Sequence, residues 1–327
     1  LILAGEALLM TLDADVLVDR RRTRRKLTFW RIAAFVLLAV ALLGAAALIG
    51  GDQLGSRTSP HIARITVSGV ILSDQKVNEM LKTIAESDAV KGVIVSINSP
   101  GGSTTGGEAL YVGLREISGK KPVVAAVDTL AASAGYMAAI AADHIVAQRT
   151  SITGSIGVLF QYGNVTPLLD KLGISVRTIK SAPLKAEPSP FTEPEVPGAR
   201  EMIGRLVDDT YQWFVDIVAE RRNLDRAEAL RLADGSIFSG RQALDLKLID
   251  EIGGEREAVA WLEAKRNVTK DLPVLDWEAE DGFDGFGLGS AILTGAGRLV
   301  GLDLSGMLAE PALDGLVSVW HPQMSGL

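Results

Sequence analysis

Two short segments carry the residue types needed for acyl transfer, the lysine standing 52 positions after the serine. Ala131-Ala132-Ser133-Ala134-Gly135-Tyr136 sets Ser133 among residues small enough for a substrate backbone to come close. Lys180-Ser181-Ala182-Pro183-Leu184-Lys185 supplies an amine. A serine hydroxyl is a weak nucleophile and needs an adjacent base. Lys185 can be that base at neutral pH if its pKa falls by several units from about 10.4, which burial among apolar groups can achieve. Ala182, Pro183, Leu184, Ala186 and Pro188 surround it in sequence, Glu187 is the nearby acid, and Lys180 is the competing amine. Two further segments fit the same chemistry. Ser155, in Thr153-Gly154-Ser155-Ile156-Gly157-Val158, offers a hydroxyl that would orient a neutral amine. Asn98-Ser99-Pro100-Gly101-Gly102 reads as a turn whose glycines let backbone N–H groups point inward. The N–H groups of Gly102, or its neighbour Gly101, and of Ala134 make the expected oxyanion hole.

Each piece alone has an ordinary explanation. Ser133 at an expected helix start can be a plain N-cap, Lys185 a surface lysine, and Ser155 a turn residue. The combination carries the reading. A Ser-His-Asp triad is the competing arrangement. The chain has three histidines, His61, His144 and His321, and Asp128, Asp143 or Asp170 could orient one. His144 follows Ser133 by 11 residues but opens an expected strand, and no spacing favours a triad. There are no cysteines, which excludes disulfides and thiolate metal sites; neither a metal nor a cofactor is expected.

The elements that must position these groups alternate. Ile62–Leu72 is rich in β-branched residues, and Asp74–Ser87 has Val77, Met80, Leu81 and Ile84 on one helical face. Gly92–Ile97 reads as a buried strand ending in the Ser-Pro-Gly-Gly turn, and Gly106–Ser118 as a helix. Pro122–Val127 is another strand, followed by Ser133 and a helix through Ala142; His144–Ala147 and Val176–Lys180 read as short strands. This βαβ alternation predicts an α/β fold with a largely parallel sheet, whose sites lie at the carboxyl ends of strands. Residues 193–268 read as mostly helical, with Ile203, Leu206, Val207, Thr210, Phe214 and Ile217 on one face of a helix over Glu201–Asn223.

Net charge is −7, split as +3 over residues 1–51 and −10 over the rest. An acidic body argues against nucleic acid as a partner. Ile32–Gly51 is a run of 20 uncharged residues, long enough to span a bilayer as a helix. The basic stretch Arg20–Lys26 before it predicts a cytoplasmic N-terminus and an extracytoplasmic body at an inner membrane. A cleaved signal peptide ending near Ala45-Ala46-Ala47 is the alternative. Leu1 is not an expected initiator; a start at Met10 would leave residues 1–9 untranslated. The expected organisation is a basic cytoplasmic arm over 1–31, an anchor over 32–51, a linker over 52–60, a catalytic domain over 61–268 and an extension of unassigned role over 269–327.

In order and spacing, NSPGG at 98–102, AASAGY at 131–136, TGSIGV at 153–158 and KSAPLK at 180–185, with the anchor, resemble the short single-domain form of the signal peptide peptidase A family. The resemblance covers about residues 30–265 and implies a Clp protease/crotonase-like superhelical core. It implies Ser133 as nucleophile, Lys185 as general base, Ser155 as the residue orienting the lysine, and Gly102 or Gly101 as oxyanion-hole backbone. Alanine stands at 134 where the family often has glycine. The resemblance further implies a dome-shaped homo-oligomer, an octamer in the short form, with serine and lysine from neighbouring protomers, and remnant signal peptides as substrate. A crotonase-like acyl-CoA enzyme and a non-enzymatic membrane scaffold are the alternatives.

Overall fold

The computed structural model describes residues 29–37, 57–279 and 317–319. The chain divides into a unit of Leu1–Ser59 and a unit of Pro60–Leu327. In the first, residues 29–37 are helical (α1), and Phe29, Trp30, Ile32, Phe35, Val36 and Leu37 are all exposed. Residues 38–51 of the expected anchor lie outside the described residues. Among the described residues no helix is long and apolar enough to cross a membrane.

The second unit is built on strands β1 (His61–Ile71), β2 (Val90–Ser103) and β3 (Val123–Ala132), separated by helices α2 (Gln75–Glu86) and α3 (Thr104–Ser118). Local chemistry marks the helix starts. Asp74 Oδ1 accepts from Lys76 N at 2.8 Å and Ser103 Oγ from Gly106 N at 3.1 Å, each satisfying a backbone donor of the first turn. After α4 (Ala134–Ala141) come β4 (His144–Ala147), β5 (Ile152–Gly154) and α5 (Thr166–Lys171). The chain continues through α6 (Ala199–Arg222), α7 (Arg226–Leu232), β6 (Ile237–Ser239), α8 (Gly240–Asp245), β7 (Glu251–Ile252), α9 (Glu255–Arg266), β8 (Val274–Trp277) and β9 (Val317–Val319).

One sheet runs β6-β5-β3-β2-β1-β8, with β4 and β7 branching from β3 and β9 on β2. All its pairings are parallel except β2/β9 and β5/β6. Its strands are apolar on both faces, as covered parallel sheets require. Ile62, Ile94, Val124, Ala126 and Val146 pack with Ala258 and Leu262 of α9. The alternate positions, among them Ile65, Val93, Val95 and Ala125, join a larger core with α2, α3, α4 and α6. β3 forks: residues 124–127 pair with β4, while residues 130–132 pair with β5. A register shift between β2 and β3 falls at the same place. Such irregularities re-aim a strand end, here the end that leads into Ser133.

Three expectations change. The Ser-Pro-Gly-Gly segment is not a turn after β2 but its continuation, because Gly101 and Gly102 pair with Val70 and Ile71 of β1. Val176–Lys180 is not a strand. Its apolar residues Val176 and Ile179 are exposed, and no strand pairs with it among the described residues. The long helix forms as expected; apart from Ala199 at its start, its buried residues fall in the C-terminal half, Phe214, Val215, Ile217 and Val218, and Leu206 is 46% exposed.

All eight residues of α4 are buried, and Tyr136 Oη donates to the Leu248 carbonyl at 2.9 Å. Burial pushes the Tyr136 phenol far above its ordinary range. Tyr136→Phe leaves that carbonyl without its donor and is expected to lower stability by about 1–3 kcal/mol, read as a shift of the urea midpoint.

Candidate active site

Ser133 follows the last residue of β3 and caps α4, with a backbone of φ 57° and ψ −118°. An ordinary N-cap has an extended backbone and a side chain bonded to the first turn. Ser133 has neither, and its side chain makes no capping hydrogen bond. Its backbone is pinned instead. Its N–H donates to Gly154 O at 2.9 Å, and its carbonyl accepts from Tyr136 N and Met137 N, both at 2.9 Å. A positive φ in so sparsely populated a region costs a non-glycine residue about 1–3 kcal/mol and persists only where its surroundings enforce it. The alanine at 134 needs no glycine-like backbone, because the positive φ falls on Ser133 and Ala134 is helical.

Ser155 is brought to the same place by strand register. Ala131 pairs with Thr153 and Ala132 with Gly154, so Ser133 and Ser155 are the next residues of adjacent parallel strands. Thr153 Oγ1 donates to Ala131 O at 3.0 Å, which locks that register. Ser155 also has a positive φ, 51°, held by its N–H donating to Ser236 O at 2.7 Å.

The NSPGG segment flanks Ser133 from the other side. Ser99 pairs with Ala131, two residues before Ser133. A Cβ on Gly135 would stand 2.8 Å from Ser99 O, so only glycine lets α4 come this close to β2. Ser99 Oγ donates to Gly69 O at 2.7 Å and accepts the Gly101 N–H at 3.1 Å. Gly101 is thereby engaged internally.

β2 presents one edge to β1 and the other to β3 as far as Ser99. Beyond that point β9 takes over the second edge, antiparallel, with Gly101 opposite Val319, Gly102 opposite Ser318 and Ser103 opposite Val317. The extension, for which the sequence offered no role, therefore lays a strand beside the glycines. On the β1 side, Val70 and Ile71 line a cavity of about 410 Å³ together with Val67, Val77, Met80 and Leu110.

No hydrogen bond joins Lys185 to Ser133 among the described residues, and Ser133 is buried. Lys185 is exposed, in a turn where its N–H donates to Ala182 O at 3.1 Å, and no hydrogen bond or ion pair to its amine is present among the described residues. Its apolar sequence neighbours do not bury it. Lys180, the competing amine, is paired with the buried carboxylate of Glu187.

Neither described histidine can substitute. His144 pairs with Val124 at the opposite end of β3; Ser133 lies nine positions further along the chain, roughly 30 Å at strand spacing. There it stacks on Trp261 at 4.8 Å and lies 3.2 Å from a Glu251 oxygen. His61 is fully buried at the start of β1, accepting from Trp277 Nε1 at 3.1 Å. His321 lies outside the described residues.

The profile of peptidase family S49 matches residues 115–269, and that of Clp protease matches residues 62–161. A candidate protease of Methanocaldococcus jannaschii is 34% identical over 302 residues, 86% of this chain and 96% of its own. A candidate signal peptide peptidase of Enterococcus faecium is 34% identical over 252 residues, 72% of each chain. Among solved structures, a Clp protease mutant from Listeria monocytogenes aligns with a TM-score of 0.40 and 16% identity, over 59% of this chain and 92% of that one. The chain is a serine peptidase. It belongs to peptidase family S49, the signal peptide peptidase A family.

Proposed function

We propose that this protein is a membrane-anchored endopeptidase that degrades remnant signal peptides with a Ser133/Lys185 dyad. The observation that carries the reading is the joining of Ser133 and Ser155, two strained serines at adjacent strand ends. Lys185 takes the Ser133 proton, and Ser133 Oγ attacks the peptide carbonyl. The N–H groups of Gly102 and Ala134 hold the tetrahedral oxyanion. Gly102 is favoured over Gly101, whose N–H is engaged by Ser99. Lys185 then protonates the leaving amine, and water hydrolyses the acyl-enzyme. Ser155 orients the lysine amine.

The lysine comes from a neighbouring protomer. Lys185 is exposed in its own chain, and the same region exposes Leu159, Leu168, Leu172, Ile174, Ile179 and Leu206. An apolar surface of this extent suits a self-association interface. Such an interface would also bury the lysine and lower its pKa. By the family resemblance the assembly is a ring of eight. The exposed apolar side chains of α1 and the uncharged run to Gly51 support a membrane anchor, with the body on the extracytoplasmic side.

An extended peptide would bind by adding a strand at Gly101–Ser103, the edge that β9 uses. The apolar cavity lined by Val70 and Ile71 favours apolar side chains. Removing residues 317–327 is therefore expected to lower KM roughly threefold or more at unchanged kcat, since a competing strand reduces the binding-competent fraction. Steady-state kinetics on a fluorogenic apolar peptide checks this.

The test of the reading is cleavage of a signal-peptide-like apolar peptide by the detergent-solubilised full chain, followed by mass spectrometry. Cleavage lost in both Ser133→Ala and Lys185→Ala, with assembly intact, supports the dyad. Wild-type cleavage by either variant refutes it.

A further inference from the structure

The segment carrying Lys185 has no regular structure to hold it. From Leu172, after α5, to Gly198, before α6, no residue is in a helix or strand. Over this stretch Glu187 is the one buried residue, 5% exposed. Its carboxylate gathers three donors: Lys180 Nζ, Ser189 N at 2.7 Å and Thr192 Oγ1 at 3.3 Å. The Lys180 ammonium, assisted by the Ser189 N–H, holds this carboxyl below the usual carboxylate range. Residues 180, 187, 189 and 192 are thus tied to one point, and Lys185 sits on the turn they enclose.

A second observation concerns the link between Lys185 and that point. Ala186 has φ 59°, the left-handed region, although it is not glycine. The turn is closed by Lys185 N donating to Ala182 O at 3.1 Å and Glu187 N to Leu184 O at 3.3 Å. A strained alanine in a segment without helix or strand requires outside enforcement, and the buried carboxylate one residue on supplies it.

We propose that Glu187 is a positioning residue for catalysis: by anchoring Lys180, Ser189 and Thr192 it fixes the turn that presents the Lys185 amine to the nucleophile. The two lysines of KSAPLK then have separate duties. Lys180 is consumed as the partner of Glu187, and Lys185 is kept unpaired for the reaction. The inference rests on Lys185 being the general base.

A double-mutant cycle tests it, using the solubilised full chain and a fluorogenic apolar peptide. In the wild-type background, Glu187→Ala is expected to lower kcat at least about tenfold with KM within about twofold, because misplacing a catalytic group by an ångström can lose up to roughly a hundredfold. In the Lys185→Ala background the same change is expected to lower the residual rate less than about twofold, since a residue acting through Lys185 has nothing left to position. Lys180→Met should reproduce the loss while leaving Glu187 in place, and Lys180→Arg should restore kcat to within about threefold. This pair keeps the proposal testable should Glu187→Ala fail to assemble. Equal losses in both backgrounds would overturn it, because Glu187 would then act independently of Lys185. A Glu187→Ala enzyme with wild-type kcat would overturn it alone, leaving the dyad standing. A Lys185→Ala enzyme with wild-type kcat would remove the dyad and this proposal together.

Discussion

Ser133→Ala is expected to lower kcat by about four orders of magnitude or more, as loss of a serine nucleophile does elsewhere, while stability falls by no more than about 1–3 kcal/mol, the cost of one buried hydrogen-bonding hydroxyl. The two halves of this expectation have separate causes. Ser133 is 1% exposed and its backbone is fixed by Gly154 O and by the first turn of α4. Its side chain makes no capping bond to that turn. Alanine retains the Cβ and bears the same φ strain, so the fold loses only what the buried hydroxyl contributes. An ordinary N-cap would lose about 1 kcal/mol with activity persisting. Kinetics and urea unfolding on the same preparation separate the two roles.

Gly102→Ala is expected to damage the fold and the site together. A Cβ at this position would stand 1.8 Å from the Ile71 carbonyl oxygen and 2.5 Å from its carbon. These are backbone atoms of β1, held in the β1/β2 ladder, and cannot swing aside as a flexible side chain would. The ends of β1 and β2 must separate, with an expected loss of about 3 kcal/mol or more. The proposed oxyanion donor and the Val70–Ile71 wall of the apolar cavity move with them, so kcat/KM falls even where folded protein remains. Gly204→Ala is the control. Nothing lies within 4 Å of a Cβ there, inside α6, and the exchange is expected to stabilise by about 0.5–1 kcal/mol. Urea midpoints for the two variants should therefore move in opposite directions.

Much of the core was legible because one-dimensional patterns decide it. β1, α2, the front of β2, α3 and β3 follow from runs of apolar residues and from helical spacing of Val77, Leu81 and Ile84. What escaped depends on partners distant in sequence. The NSPGG segment reads as a turn by composition, yet Val70 and Ile71 on one edge and β9 on the other hold it extended. β9 is three residues long and carries no periodic signal. Val176–Lys180 has strand-like composition but pairs with no strand among the described residues, and Leu206 in the front half of α6 is exposed there. The meeting of Ser133 with Ser155 follows from the fork of β3 onto β5, and no spacing in the sequence announces that. The pairing of Lys180 with the buried Glu187 carboxylate was likewise invisible in one dimension.

The central claim is that one chain supplies the serine and its neighbour the lysine. The direct measurement is complementation between Ser133→Ala and Lys185→Met chains. Each is made alone, and the two are co-expressed with different affinity tags so that mixed assemblies can be isolated. Each variant alone should be inactive. In a random equal mixture, a site has both an intact serine and an intact neighbouring lysine roughly a quarter of the time in a ring of heterologous contacts. The mixed assembly should therefore recover about a quarter of wild-type turnover on the apolar peptide. A mixed assembly that forms and stays inactive would contradict the shared site, and activity in the Lys185→Met chain alone would contradict the dyad.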